Sequence, residues 1–365
     1  MIWILLSAFI VWNLVFIMLD KNILEEKEHD HVFQLNQQSL AVIIVMRNES
    51  KNIVECLSSI DSQNWLPKNT EVIVVDDHSD DDSLGIVECY SPINVKIRTN
   101  KLSQKSGKKE GLKLALSMVN AEIVYFTDAD CELMPEVVLR LIGKLVVGGF
   151  KAVFGPVMLK SNSVLGQLLI AENLNNQCVT EAFVRYSHPI MSNGANMMIS
   201  RDAIGLYRKT LESEIMSGDD VFFAQIIGKQ STCVMSKSSI VWTNAPINFV
   251  EFINQRLRWA SKTTDYPSML AKLFGVVVFM VSIIFALSLL IIPFVNGAFW
   301  ILLLFGLKIL IEYGYHRKWF YKYGVRHKLP IGIVLSVIYP FYAVLVGVFS
   351  MLGVGFIWKG RYAKR

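Results

Sequence analysis

Asp128-Ala129-Asp130 sets two carboxylates two residues apart, directly after the apolar, β-branched run Ile123–Thr127. Carboxylates that close repel one another unless a cation stands between them. Hard oxygen ligands suit Mg2+ or Mn2+, either of which can bridge a diphosphate; plain turn chemistry is the alternative. Arg47-Asn48-Glu49 follows the run Leu40–Met46, and Asp76-Asp77-His78-Ser79-Asp80 follows Glu71–Val75. For Asp80–Asp82 alone, a turn with helix-capping aspartates is the simpler reading. Ser217-Gly218-Asp219-Asp220 leads into Val221-Phe222-Phe223. One aspartate of that pair can complement the dipole of a starting helix while the other acts as a general base. In Gln255-Arg256-Leu257-Arg258-Trp259, residues 255, 258 and 259 are spaced i, i+3 and i+4, so Gln255, Arg258 and Trp259 share a helical face. The alternative is an interfacial helix whose arginines snorkel to the membrane surface.

The elements that must position these groups are short. Leu40–Met46, Glu71–Val75 and Ile123–Thr127 read as buried strands, Val95–Thr99 as a weak one, and Asn52–Ile60 and Gly111–Val119 as helices. Strands alternating with helices predict a parallel sheet covered on both faces. Ligands bind such sheets at the carboxyl ends of the strands, which is where the polar groups stand.

Of the 365 residues, 53% are hydrophobic and 18% charged, against about 45–50% and 25% in soluble globular proteins. That balance excludes disorder, collagen and small disulfide scaffolds and points to a partly membrane-embedded chain. Met1–Leu19 carries no charge and reads as an uncleaved anchor, since it lacks a basic leader and a small-residue cleavage site. Leu273–Leu307 is also uncharged, and Pro293, Asn296 and Gly297 divide it into two helices. Leu329–Trp358, interrupted by Pro340, has the length of one tilted span. The net charge of +5 is uneven: no acidic residue follows Glu312, while Arg317, Lys318, Lys322, Arg326, Lys328, Lys359, Arg361, Lys364 and Arg365 do. Beside apolar runs this basic end reads as membrane-surface anchoring and not as nucleic-acid binding. The five cysteines form no C-x-x-C pair, which fits a reduced compartment.

In order along the chain, Arg-Asn-Glu, Asp-Asp-x-Ser-x-Asp, Asp-x-Asp, an acidic pair opening a helix, and Gln-x-x-Arg-Trp resemble the membrane-integrated branch of the family 2 glycosyltransferases. The resemblance covers Leu40 to about Trp259 and implies an α/β fold of the GT-A type, a Rossmann-like nucleotide-diphospho-sugar transferase domain, flanked by transmembrane helices. It implies that Arg47, Glu49 and Asp77 line the nucleotide pocket, and that Lys105 or Lys108 approaches the nucleotide. Asp128 would contact the ribose or the metal, and Asp130 would hold the cation, Mg2+ or Mn2+. Asp220 would be the catalytic base, with Asp219 standing where the family has Glu. Arg258 would meet the donor diphosphate. Asn193, Gly194, Asp219, Gln255 and Trp259 would lie on the acceptor side.

The implied organisation is an anchor over 1–19, a linker over 20–39, the GT-A domain over 40–246 and an amphipathic interfacial helix over 247–271. A C-terminal membrane region over 272–358 and a basic tail over 359–365 follow. The expected activity is inverting transfer of a sugar from a nucleotide-sugar donor, UDP being favoured, to a lipid-linked or glycan acceptor in envelope glycan synthesis. A processive polysaccharide synthase and an inactive membrane scaffold are the alternatives. Nucleotide sugars are cytosolic, so the catalytic domain of this multi-pass protein should face the cytoplasm, as should the basic Arg317–Lys328 loop. Read as a full span, Leu329–Trp358 would put the basic tail on the opposite side. Either that stretch is re-entrant or interfacial, or an earlier span is not one.

Overall fold

The computed structural model describes residues 2–20, 38–213, 215, 217–230, 233–296, 298–325, 329–358 and 360–363. Most of the expected linker lies outside these, as do Arg326, Lys328, Lys359, Lys364 and Arg365. Along the chain the elements run α1 (Ile2–Asp20), β1 (Ser39–Met46), α2 (Ile53–Asp61), β2 (Asn69–Asp76), α3 (Ser83–Cys89), β3 (Lys96–Lys101), α4 (Lys108–Met118) and β4 (Ile123–Asp128). They continue with β5 (Cys131–Leu133), α5 (Val137–Val147), β6 (Ala152–Phe154), β7 (Val157–Lys160), α6 (Val164–Arg185), β8 (Met197–Ser200), α7 (Arg201–Leu211), α8 (Asp219–Gly228), β9 (Cys233–Met235) and β10 (Val241–Asn244). Last come α9 (Phe249–Ala260), α10 (Met269–Leu290), α11 (Ala298–Lys322), α12 (Leu329–Met351), β11 (Phe356–Trp358) and β12 (Arg361–Ala363). The chain divides into two compact units, one of Glu26–Lys160 with Phe183–Asn244, the other of Met1–Glu25, Ser161–Ala182 and Ala245–Arg365.

The first unit is built on a sheet of order β3-β2-β1-β4-β8-β6-β9. The run SLAVIIVM makes β1 apolar on both faces because both are covered. Val42, Ile44 and Met46 pack with Ile53, Leu57 and Leu141 of α2 and α5. Ala41 and Ile43 pack with Leu112, Tyr207 and Phe223 of α4, α7 and α8. Each such aliphatic side chain contributes about 1.5–3 kcal/mol on burial. The register sets Met46 beside Asp76 and Val45 beside Asp128, so β1, β2 and β4 end on one rim.

The sheet departs from the all-parallel expectation at β8, which runs antiparallel to both β4 and β6. Met197 pairs with Phe126 at the rim end of β4. An antiparallel strand starts where its parallel neighbours stop, so the residues just before β8, Asn193–Asn196, are delivered to the same rim.

In the second unit, α1, α10, α11 and α12 are each long and apolar enough to cross a membrane. Leu5, Ala8, Val281, Phe285, Ile301 and Phe305 form a core among the first three. The expected end of the second apolar stretch at Leu307 is corrected: α11 continues to Lys322. Lys308 is neutralised inside by Glu312 at 2.7 Å, and its ammonium also donates to the Ser336 carbonyl at 3.1 Å. Trp12 of α1 donates to the same Glu312, while Asp20 pairs with Lys318 at 2.9 Å. These two contacts make α1 and α11 parallel. Pro340 lies within α12 without ending it, and Tyr342, Val346 and Phe349 pack with Leu257 of α9 and with Phe356 and Ala363 of the β11–β12 hairpin.

Candidate active site

The loops after β1 and β2 are knitted together. Arg47 donates to the Asp77 carbonyl and to the Asp80 carboxylate, each at 3.1 Å. The Asn48 amide donates to Ser79 Oγ at 3.0 Å, and the Asp80 amide donates back to Asn48 Oδ1 at 2.8 Å. Asn48 and His78 hold left-handed backbone (φ 54° and 57°) at these corners, a conformation that Asn and His accept more readily than most residues. Glu49 is buried, its amide on Ser83 Oγ at 2.7 Å and its carboxylate accepting from Asn52. Within the acidic run after β2 the roles divide. Asp76 closes the turn onto the Ser79 amide. Asp81 accepts from Ser50 and Ser83, while Asp82 stands at the start of α3 without a side-chain capping bond.

Asp77 is 2% exposed. Its Oδ1 accepts from the Gly107 amide at 3.0 Å and faces His78 Nδ1 at 3.3 Å. Gly107 sits at φ +117°, a value that side chains disfavour, and this turns its N–H onto Asp77 at the start of α4. The next residue, Lys108, forms an ion pair with Asp128. Burial works against its charge, but Asp128, then Asp219 and Asp220, outweigh it and raise the ammonium above its ordinary range. Lys108 therefore stays protonated at any working pH, and three aspartates from two separate chain segments lie within its field. Lys105 stands exposed in the loop before α4, and no described side chain bonds to it.

Asp128 and Asp130 sit half-buried at the end of β4. Beneath them lies Cys56 of α2, whose thiol is pushed up by burial and then by Asp130, Asp128 and Glu49. Cys56 Sγ donates to the Asp128 carbonyl at 3.5 Å. Among the described residues no three His, Cys, Asp or Glu side chains close on a single point. A cation here would take one or two carboxylates from the chain and complete its shell from phosphate and water, the usual manner of Mg2+. Asp128 and Asp130 present hard oxygen donors on an acidic rim, a set that fits a divalent ion.

Asp219 and Asp220 open α8 and face different ways. Asp220 Oδ2 accepts the Gly194 amide at 2.8 Å. A Cβ on Gly194 would stand 3.1 Å from the Asp220 Cβ, so only glycine fits there without displacing the aspartate. Asp219, expected on the acceptor side, is instead 6% exposed and accepts from the Tyr207 hydroxyl. Tyr207 is itself packed on Phe126 at 4.7 Å and Phe223 at 5.3 Å. Burial, then Asp219 and Asp220, lift its phenol well above the usual range. Tyr207 and Lys109, which donates to the Thr210 and Ser213 carbonyls, fix the segment leading into α8. The only sign of Tyr207 in the sequence is its place on the inward stripe of α7, with Ala203, Thr210 and Leu211.

Gln255, Arg258 and Trp259 lie on α9, in the other unit. Within that stretch Arg256 and Leu257 are buried, and Arg256 is the charged one. Its guanidinium pairs with Glu172 of α6, donates to Gln255 Oε1 at 2.6 Å and lies 4.7 Å from the Phe252 ring centroid and 4.3 Å from that of Trp259. Tyr342 completes the set by donating to Glu172 at 2.8 Å. The Gln255 amide and one face of the Trp259 indole are thus held by Arg256, while Arg258 is half-buried.

Comparison with known proteins agrees with this fold. Glycosyl transferase family 2 matches residues 41–207. An N-acetylglucosaminyltransferase of Bradyrhizobium diazoefficiens is 24% identical over 237 residues, 61% of this chain and 48% of that protein. The poly(ribitol-phosphate) β-N-acetylglucosaminyltransferase TarS of Staphylococcus aureus is 35% identical over 91 residues, 25% of this chain and 16% of TarS. The chain thus spans about half the length, or less, of these relatives. The solved mannosyltransferase PcManGT from Pyrobaculum calidifontis, in complex with GDP-Man and Mn2+, superposes with a TM-score of 0.58 at 15% identity, over 95% of each chain. The chain thus carries a stretch over residues 41–207 that matches glycosyl transferase family 2, on a Rossmann-like sheet with the GT-A fold of the solved mannosyltransferase.

Proposed function

We propose that this enzyme moves a sugar from a nucleotide-sugar donor to the hydroxyl of a lipid-linked or glycan acceptor at a membrane, with inversion, Asp220 acting as general base. The observation that carries the reading is geometric: Lys108 pairs with Asp128 at the end of β4, and Asp220 at the start of α8 is held by the Gly194 amide, just before the strand β8 that runs antiparallel to β4. This supports donor-side and base-side carboxylates on one rim. The loops around Arg47, Glu49 and Asp77 would take the nucleoside. Lys108 would offset the negative charge of the donor beside Asp128. A divalent cation, Mg2+ or Mn2+, held by Asp130 and Asp128 would supply charge stabilisation to the departing diphosphate. The acceptor O–H is a weak nucleophile, so Asp220 takes its proton as the oxygen attacks the anomeric carbon. The Gly194 amide fixes the plane of that carboxylate. Gln255, Arg258 and Trp259 keep the acceptor and diphosphate roles that the resemblance gives them.

The relatives' names make N-acetylglucosamine the first sugar to try, and the resemblance makes UDP the first nucleotide. Membrane placement is supported by the four apolar helices. The parallel run of α1 and α11 supports one common side for Asp20, the start of α10 and Lys322, and the basic residues at the end of α11 favour the cytoplasm for that side. The packing of α12 and the hairpin on α9 supports a re-entrant or interfacial α12.

The test is nucleotide release by the full-length protein in lipid, screened over UDP-, GDP- and dTDP-sugars with and without excess chelator. The anomeric configuration of the product is then read by NMR. Release from one donor, stopped by chelation and restored by Mn2+ or Mg2+, with an inverted product, is expected. A retained anomeric configuration would refute the single displacement, and turnover in excess chelator would refute the metal.

A further inference from the structure

We propose that the face of α11 around Arg317 and Lys318 binds the phosphate headgroup of an anionic glycerophospholipid, an inference that rests on reading α1, α10 and α11 as membrane spans. A groove of about 700 Å³ lies there, lined by Tyr313, Gly314, Arg317, Lys318 and Tyr321. Its depth in a bilayer follows from helix length. Arg317 stands nineteen residues past Ala298 at the start of α11, about 28 Å at roughly 1.5 Å per residue. The hydrocarbon core is about 30 Å thick, so the groove falls at headgroup level.

The stripe that contains the groove continues toward the membrane interior. Leu303, Leu307 and Leu310 are 41%, 40% and 67% exposed. With Gly314, Arg317 and Tyr321 they repeat at alternating spacings of four and three, one line along the helix. An acyl chain lying on the leucines brings its phosphate to the arginine. Gly314 leaves this face open: a Cβ there would meet nothing within 4 Å, so the space beside Arg317 is free for a headgroup. Arg317 has no side-chain hydrogen bond or ion pair among the described residues, and its planar fork suits a phosphate. Among the described residues, Asp20 pairs with Lys318, Glu181 pairs with Lys322 and Glu312 is turned inward onto Lys308, so these carboxylates are matched by cations other than Arg317. Tyr321, 89% exposed, is the amphipathic side chain expected at the interface.

The experiment uses the full-length chain purified in detergent and titrated separately with phosphatidylglycerol, phosphatidylcholine and inorganic phosphate, with bound species counted by native mass spectrometry. Phosphatidylglycerol should bind at least about tenfold more tightly than phosphatidylcholine. R317Q/K318Q should weaken it by roughly 25-fold, about fivefold for each cation removed. Gly314→Leu, which keeps both charges and fills the hollow, should also weaken it. Equal binding of the two lipids would overturn the proposal, as would wild-type affinity in Gly314→Leu. Inorganic phosphate binding as tightly as phosphatidylglycerol would make this a free-anion site and overturn the lipid assignment. Release of the chain from membranes by carbonate washing would overturn the membrane reading itself, a result separate from any of the titrations.

Discussion

Gly194→Ala tests the base most locally. The added methyl would stand 3.1 Å from the Asp220 Cβ and 3.4 Å from its carboxyl carbon. Carbon atoms pack at about 3.5–4.0 Å, so the two must part by roughly 0.4–0.9 Å. Neither can part without loss, because the Gly194 amide holds Asp220 Oδ2 at 2.8 Å. Overpacking of this kind costs about 1–3 kcal/mol of stability. Misplacing a catalytic group by about 1 Å costs about a hundredfold in rate, so kcat should fall by roughly 10- to 100-fold. The nucleotide end of the site, at Asp77 and the Arg47 loop, is untouched, so the KM for donor should stay within about threefold. Steady-state kinetics of nucleotide release, with thermal unfolding as the check on folding, separates the terms. A folded variant with wild-type kcat would refute the claim that Gly194 positions the base.

Tyr207→Phe removes the hydroxyl from a nearly buried carboxylate, that of Asp219. The expected cost is about 1–3 kcal/mol, read as a lowered melting temperature; an unchanged one would mean that this bond contributes nothing. Asp81 is drawn from the ordinary 3.8 down to about 2, partial burial raising it and the bonds from Ser83 and Ser50 outweighing that. Its folded pKa is the depressed one, so its stabilisation is present above about 3.8 and is lost as pH falls toward about 2. Denaturant midpoints of Asp81→Asn should therefore lie below wild type at neutral pH and converge with it across that window; a constant gap would contradict the linkage. Glu172→Ala leaves the Arg256 guanidinium buried without its carboxylate, at a cost of about 3–5 kcal/mol. Unfolding of the second unit at wild-type temperature would show that water reaches Arg256 instead.

Much of the catalytic sheet was legible because its signals are local. Leu40–Met46, Glu71–Val75 and Ile123–Thr127 are β-branched runs buried on both faces, and each is observed as a strand. The polar residues after them fall on one rim because parallel neighbours share a direction. The antiparallel β8 was not legible: Met197–Ser200 is four residues long, too short to carry a period of its own. Contacts between distant residues were silent as well. Nothing near Arg256 names Glu172, 84 positions earlier, as its partner, so their interior ion pair was not legible in the sequence. Lys308 ended an apolar run on paper because its neutralising partners, Glu312 and the Ser336 carbonyl, become neighbours only once helix and bundle form. Asp219 and Asp220 are adjacent and chemically alike; only the helix start, turning one toward Tyr207 and the other toward Gly194, separates their roles.

The direct test of the account is Asp220→Asn, measured for both donor affinity and sugar transfer. Removing the proton acceptor while keeping its shape should lower transfer by about 10²–10⁴ and leave donor affinity within a few-fold. Transfer at the wild-type rate would place the base elsewhere, and the rim of carboxylates around Lys108 would lose its catalytic meaning.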